Sequence, residues 1–125
     1  MNIIISNANN KPIYEQIFTQ IRDQILSGDL APGQALPSIR ALAKDLRVSV
    51  ITTKRAYEEL ERAGYVYTVP AKGSYVAEKN TLLVREAYLT QIEEHMAQIL
   101  TLADSCGLGE EELVEMLRLL YHNDH

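Results

Sequence analysis

A mainly α-helical protein with one small β-hairpin is predicted for this chain of 125 residues, and three observations carry the prediction. Apolar residues recur with helical spacing in five separate stretches. One pair of segments rich in Tyr and Val is split by the short link Ala71-Lys72-Gly73 and fits strands instead. After Lys79 the helical pattern changes from wide amphipathic stripes to a narrow spacing of three and four residues. Two parts are therefore expected, residues 1–79 and residues 80–125.

Ile3 to Ile5 suggest a small edge strand, which Asn7 to Asn10 then break. Pro12 suits a first helical residue, because its fixed φ fits the helix and its missing N–H would have no partner there. Ile13, Ile17, Ile21 and Ile25 follow at every fourth position, Phe18 widens the stripe, and Gly28 ends the helix. Past the turn Ala31-Pro32-Gly33-Gln34, Pro37 opens a second helix whose buried face reads Ile39, Leu42, Ala43 and Leu46.

Only Arg47 and Val48 separate that helix from Ser49, a good N-cap for a third. The inward stripe of the third helix is Thr53, Ala56, Tyr57 and Leu60, and Gly64 stops it. Two short helices joined by so brief a turn cross steeply, which is helix-turn-helix geometry. The segments Tyr65 to Pro70 and Ser74 to Ala77 then form a hairpin whose tip reads as a wing. In the second part, Leu82, Leu89, Ile92, Met96, Ile99 and Ala103 form a narrow seam, interrupted by Arg85, on a helix ending near Cys106 and Gly107. A last helix runs from about Glu110 to Tyr121, with Glu110, Glu111 and Glu112 matching the positive end of its dipole. Leu113, Met116, Leu117 and Leu120 lie on one side of it. Two such helices cannot bury these stripes alone, so Leu89, Ile92, Met96, Ile99, Leu113, Met116, Leu117 and Leu120 are the candidate dimerisation residues.

The formal net charge is −5, but it is not spread evenly. Residues 1–79 carry 10 Lys and Arg against 8 Asp and Glu, whereas residues 80–125 carry 2 against 9. Between Arg40 and Arg55 the bases Arg40, Lys44, Arg47, Lys54 and Arg55 face Asp45 alone. This asymmetry suits a basic contact surface joined to an acidic part that meets protein or solvent; a solvated helix face is the plainer account of the same charges. The expected partner is double-stranded DNA, because a helix pair of this kind delivers its second helix to the major groove, leading residues first. Ser49 and Thr52 can donate to phosphates or base edges, and Lys54 and Arg55 follow within reach of the backbone. Val50 and Ile51 are not needed by the buried stripe. They either meet thymine methyl groups or pack on the wing or first helix. Arg40 is placed to reach a phosphate or a guanine, and Lys72 to reach the minor groove or its phosphates.

The run Gly28-Asp29-Leu30-Ala31-Pro32-Gly33, the motif Leu36-Pro37-Ser38-Ile39-Arg40, and Leu42-Ala43-Lys44-Asp45-Leu46-Arg47-Val48-Ser49 occur in order. Ala56 to Leu60 and the wing Ala71-Lys72-Gly73-Ser74-Tyr75-Val76 follow. Over Pro12 to Val76 this pattern resembles the N-terminal winged helix-turn-helix of GntR-type bacterial transcription regulators. The resemblance implies DNA contacts from Arg40, from the residues after Ser49, from Lys54, and from the wing at Lys72 and Gly73. Two positions depart from the family pattern: Val50 stands where arginine is common, removing a guanine contact, and Ala71 replaces the first wing glycine. The short two-helix tail resembles the YtrA subfamily, which implies dimerisation through the tail and control of transporter genes. About 46 residues are too few for the effector-binding or pyridoxal-phosphate domains of other branches, so no cofactor is expected.

Catalysis is not expected. No Ser/His/Asp spacing is recognisable, His122 and His125 sit in the tail, and His95 beside Glu93 and Glu94 fits a solvated helix face better than a metal site. Cys106, the single cysteine, reads as filler near a helix end. The start MNIIISNANN has no basic region before its brief apolar run, and no stretch approaches the roughly 20 apolar residues of a membrane span; the expected location is the cytoplasm. The expected function is a homodimeric repressor on an inverted-repeat operator, with any small effector unspecified. A winged helix that docks protein or RNA is the alternative reading.

Overall fold

The computed structural model describes residues 1–78 and 81–124, with the backbone alone for residues 81–83 and 124. In chain order it contains α1 (Ile13–Ser27), α2 (Ile39–Leu46), α3 (Val50–Arg62), β1 (Val66–Val69), β2 (Gly73–Val76), α4 (Thr81–Cys106) and α5 (Glu110–Asp124). They fall into two compact units, Met1–Leu83 and Val84–His125. The boundary expected between Lys79 and Asn80, the Leu82 side chain and His125 lie outside the described residues.

In the first unit, α1 is capped by Pro12, whose carbonyl accepts the Glu15 and Gln16 N–H groups at 3.1 Å each. It closes at Gly28, whose φ of 91° is the left-handed conformation that glycine adopts without a steric penalty. Ile17 and Ile21 are fully buried, while Ile13 and Ile25 are only half-buried. A spacing of four residues drifts about 40° round the helix at each step, so such a stripe leaves the core at both ends.

No strand forms at Ile3 to Ile5. The segment instead runs beside α1, held by a glutamine at every fourth position. The Gln20 side chain accepts the Ile4 N–H at 2.8 Å and donates to the Ile4 carbonyl at 2.7 Å. Gln16 does the same for Ser6 at 3.0 and 3.1 Å, and Gln24 donates to the Asn2 carbonyl at 2.7 Å. Side-chain amides thus satisfy the backbone groups that a neighbouring strand would otherwise take.

The second helix begins at Ile39 and not at Pro37, because Ser38 is its cap: the Ser38 hydroxyl accepts the Ala41 N–H at 3.1 Å. Its far end closes with Arg47 at φ 57° and with the Val48 N–H bonded to the Ala43 carbonyl at 3.0 Å. That closure turns the chain within two residues and delivers Ser49 to the start of α3. The third helix packs on α1, α2 and β1. Its stripe Thr53, Ala56, Tyr57 and Leu60 is buried throughout. Burying one leucine of this kind contributes about 1.5–3 kcal/mol. Thr53 tolerates its burial because its hydroxyl donates to the Ser49 carbonyl at 3.1 Å.

The wing pairs β1 with β2 antiparallel, Val66 opposite Val76 and Val69 opposite Gly73. Residues 33–36, which overlap the turn expected at Ala31 to Gln34, add a third segment to its free edge. The Gly33 N–H donates to the Val76 carbonyl at 2.8 Å, the Val76 N–H to Gln34 at 2.9 Å, and the Leu36 N–H to Ser74 at 2.9 Å. That short edge covers β2 and ties the wing to the linker before α2.

In the second unit, α4 closes at Gly107 (φ 75°) with the Leu108 N–H on the Ala103 carbonyl at 2.9 Å. Glu112 reaches back to the Gly109 N–H at 3.0 Å and starts α5. No helix among the described residues is long and apolar enough to cross a membrane.

Candidate nucleic-acid interface

Ser49 sets the leading edge of α3. Its hydroxyl accepts the Thr52 N–H at 3.0 Å and donates to the Thr52 hydroxyl at 2.7 Å. The Ser49 proton is therefore committed within the cap. Thr52 keeps its own hydroxyl hydrogen for an outside acceptor, so of the two residues expected to donate, Ser49 positions and Thr52 presents.

Ile51 is 81% exposed and Val50 40%. At about 100° per residue, Ile51 points away from the buried stripe, so packing on the wing or first helix does not account for it. The first turn of α3 holds no acidic residue, and neither does that of α2, whereas α5 begins with Glu110, Glu111 and Glu112. Carboxylates would stabilise a helix start through the dipole but would repel a polyanion placed there.

Lys54 is exposed and lies 3.9 Å from Glu58 one turn later, an ion pair that contributes little and leaves the ammonium free to exchange partners. Arg55 differs. Its guanidinium carbon stands 3.7 Å from the centre of the Tyr14 ring on α1, which holds the fork in one orientation while its edge stays accessible. Arg40 is exposed in the first turn of α2. Tyr14 carried no sequence signal for this role, since its partner is distant along the chain.

At the wing tip the Lys72 N–H donates to the Val69 carbonyl at 3.0 Å, closing a turn with Pro70 and Ala71 at its centre. Ala71 sits at φ 67° and Gly73 at φ 123°. The position where the family pattern has glycine thus does require the left-handed conformation, and alanine adopts it here under strain. Both Lys72 and Gly73 are exposed. Behind the leading edge of α3 lies a hollow of about 460 Å³, lined by Ile5, Asn7, Ile13, Arg47, Ser49 and Thr52 among others. Sequence reading missed the N-terminal share of it; the only available sign was the spacing of Gln16, Gln20 and Gln24.

The α3 platform is held at its angle by Tyr57, whose hydroxyl donates to the Pro37 carbonyl at 2.7 Å. Burial pushes the Tyr57 phenol well above its ordinary pKa.

Within the second unit an apolar cleft of about 510 Å³ lies between α4 and α5, lined by Met96, Ile99, Leu113 and Leu117 with Leu100, Ala103, Leu108 and Val114. Ile92, Met116 and Leu120 are exposed as well, and Leu89 is half-buried. Leu100, Leu102 and Leu119, which the predicted stripes omit, add to the exposed apolar surface. Among the described residues no group of His, Cys, Asp and Glu is arranged to hold a metal.

Comparison with known proteins agrees with this geometry. Residues 13–76 match the family described as bacterial regulatory proteins, gntR family. The chain is 35% identical over 116 residues to the HTH-type transcriptional repressor YtrA of Bacillus subtilis, covering 93% of this chain and 89% of that one. Among solved structures, a GntR family transcriptional regulator from Listeria monocytogenes superposes with a TM-score of 0.72 at 29% identity, over 88% of this chain and 96% of the other. AraR(DBD) in complex with an operator aligns at 27% identity and a TM-score of 0.53, over 62% of this chain and 94% of its own. The chain belongs to the GntR family and is a transcriptional regulator of the winged helix-turn-helix type, not an enzyme.

Proposed function

We propose that the protein is a cytoplasmic repressor that binds double-stranded DNA as a homodimer, at an operator built as an inverted repeat. Residues 1–79 read the DNA and residues 80–125 pair the subunits. The observation that carries the reading is the front of α3: exposed Val50 and Ile51 beside half-buried Thr52, backed by Lys54 and Arg55, with no carboxylate in its first turn. Arg40 adds a contact from α2, and Lys72 with Gly73 add one from the wing. Base edges are read by the leading residues of such a helix, while Lys and Arg hold phosphates.

Pairing follows from two features. One short helix makes few base contacts, so two copies on a two-fold axis are needed for a tight site. The tail also exposes Ile92, Met96, Ile99, Met116, Leu117 and Leu120, large apolar side chains that pairing of two copies would remove from water. Leu89 and Leu113 extend the same seam. Half-sites one helical turn apart, roughly 10 bp, or a multiple of that, match such a dimer. Repression is carried over from the likeness to the repressor YtrA, and occupancy as its means and transporter genes as its targets follow only from the resemblance to the subfamily.

The test is retention of duplex DNA from the promoter of the protein's own operon, at rising salt, with single-stranded RNA as control. The reading requires duplex binding that weakens steeply with salt. Equal retention of RNA, or no retention of duplex, overturns it.

A further inference from the structure

Resting on that DNA-binding reading, we infer that Val50 and Ile51 are specificity determinants that recognise thymine 5-methyl groups in the major groove, one or two in each half-site. Three observations carry the inference. Ile51 is 81% exposed on the side of α3 remote from its buried stripe, and among the exposed large hydrophobic residues described it has the highest exposure. The neighbouring polar group that would compete for the same base edge is engaged elsewhere, since the Ser49 proton goes to Thr52 at 2.7 Å. The leading edge of the helix therefore presents methyl and methylene groups at N1 and N2, with one hydroxyl hydrogen, from Thr52, beside them.

The chemistry selects among the bases. In the major groove guanine offers two acceptors, adenine an acceptor and a donor, and cytosine a donor, and an isoleucine side chain satisfies none of these. Thymine alone carries a methyl group there. Every base presents a polar group there, thymine included through its O4, so the discrimination comes from the methyl group that only thymine adds for Ile51 to cover. Val50 is one position away and 40% exposed, so it reaches an adjacent step. Selectivity then comes from a methyl contact where an arginine would read guanine.

The test uses the full chain and a pool of random-sequence duplex DNA. Duplexes retained by the protein are sequenced, and one retained duplex is resynthesised with deoxyuridine replacing thymidine at one position at a time, which removes only the methyl group. Wild type is expected to lose about fourfold in affinity at one or two thymines per half-site, the equivalent of one methyl group no longer buried. Ile51→Ala, at a site too exposed to disturb folding, is expected to lose the distinction between thymidine and deoxyuridine at one of those positions, and Val50→Ala at the other. Unchanged affinity at every deoxyuridine position overturns the inference while leaving DNA binding intact, as does a difference that persists in both variants. Failure to retain any duplex overturns the DNA-binding reading itself.

Discussion

The Arg55 guanidinium carbon lies 3.7 Å from the centre of the Tyr14 ring, joining the front of α3 to the first turn of α1. A cation stacked this closely on an aromatic face contributes roughly 0.5–2 kcal/mol, depending on how far water is excluded. Tyr14→Leu is expected to lower stability by about 1 kcal/mol in urea unfolding, whereas Tyr14→Phe, which keeps the ring, loses less than half of that. Equal losses in the two variants would assign the effect to the Tyr14 hydroxyl.

Ser49 and Thr52 are bonded to each other, yet their substitution separates two roles. Ser49→Ala removes the helix cap and is expected to cost about 1 kcal/mol of folding stability. Thr52→Val keeps the shape, loses the outward donor, and is expected to weaken duplex binding more than it lowers stability. Chemical denaturation and duplex titration of both variants check the contrast.

Tyr57 makes the fold sensitive to alkali. Its phenol is buried and bonded to the Pro37 carbonyl, and burial raises its pKa from the ordinary 10.0. The folded state therefore holds a proton that the unfolded chain releases above that value. Stability attributable to this group is complete below pH 10 and falls as the pH rises further, by about 1.4 kcal/mol per unit. Burial raises Tyr65 in the same direction. Unfolding of Tyr57→Phe measured across the alkaline range should show a shallower decline than wild type, starting about 1 kcal/mol lower at neutral pH.

On DNA, Arg40→Ala or Lys54→Ala is expected to weaken binding by about 1–3 kcal/mol if each meets a base, while Lys72→Ala mainly flattens the dependence on salt. Titration of a retained duplex at several salt concentrations separates these outcomes. Identical curves for all three variants and wild type would refute the placement.

In the tail, Ile92 and Ile99 are half exposed. Replacing both with Ser is expected to leave the first unit folded and to yield monomers in sedimentation, with operator binding lost. Persistence of a dimer would place the subunit interface elsewhere.

Local rules account for much of this protein as read from sequence. The Ser49 cap, the stripe from Thr53 to Leu60, the glycine stops and the hairpin each follow from spacing within one element, where periodicity and capping act over a few residues. Arg40, Lys54 and Lys72 are legible as bases at a helix start, a helix front and a turn tip, and all three are exposed. Relationships between distant segments were not accessible in that way. The glutamines that hold residues 2–6, the linker strand on β2, the stacking of Arg55 on Tyr14 and the bond from Tyr57 to Pro37 each join residues far apart in the chain. Only the folded backbone brings such groups together, and it decides which expected contacts stay free: Arg55 is stacked on Tyr14, and Ile51 has its side chain left in water. A single sequence records which groups are available. Tertiary packing determines which of them are already satisfied, because hydrogen bonds and buried surface are shared between elements.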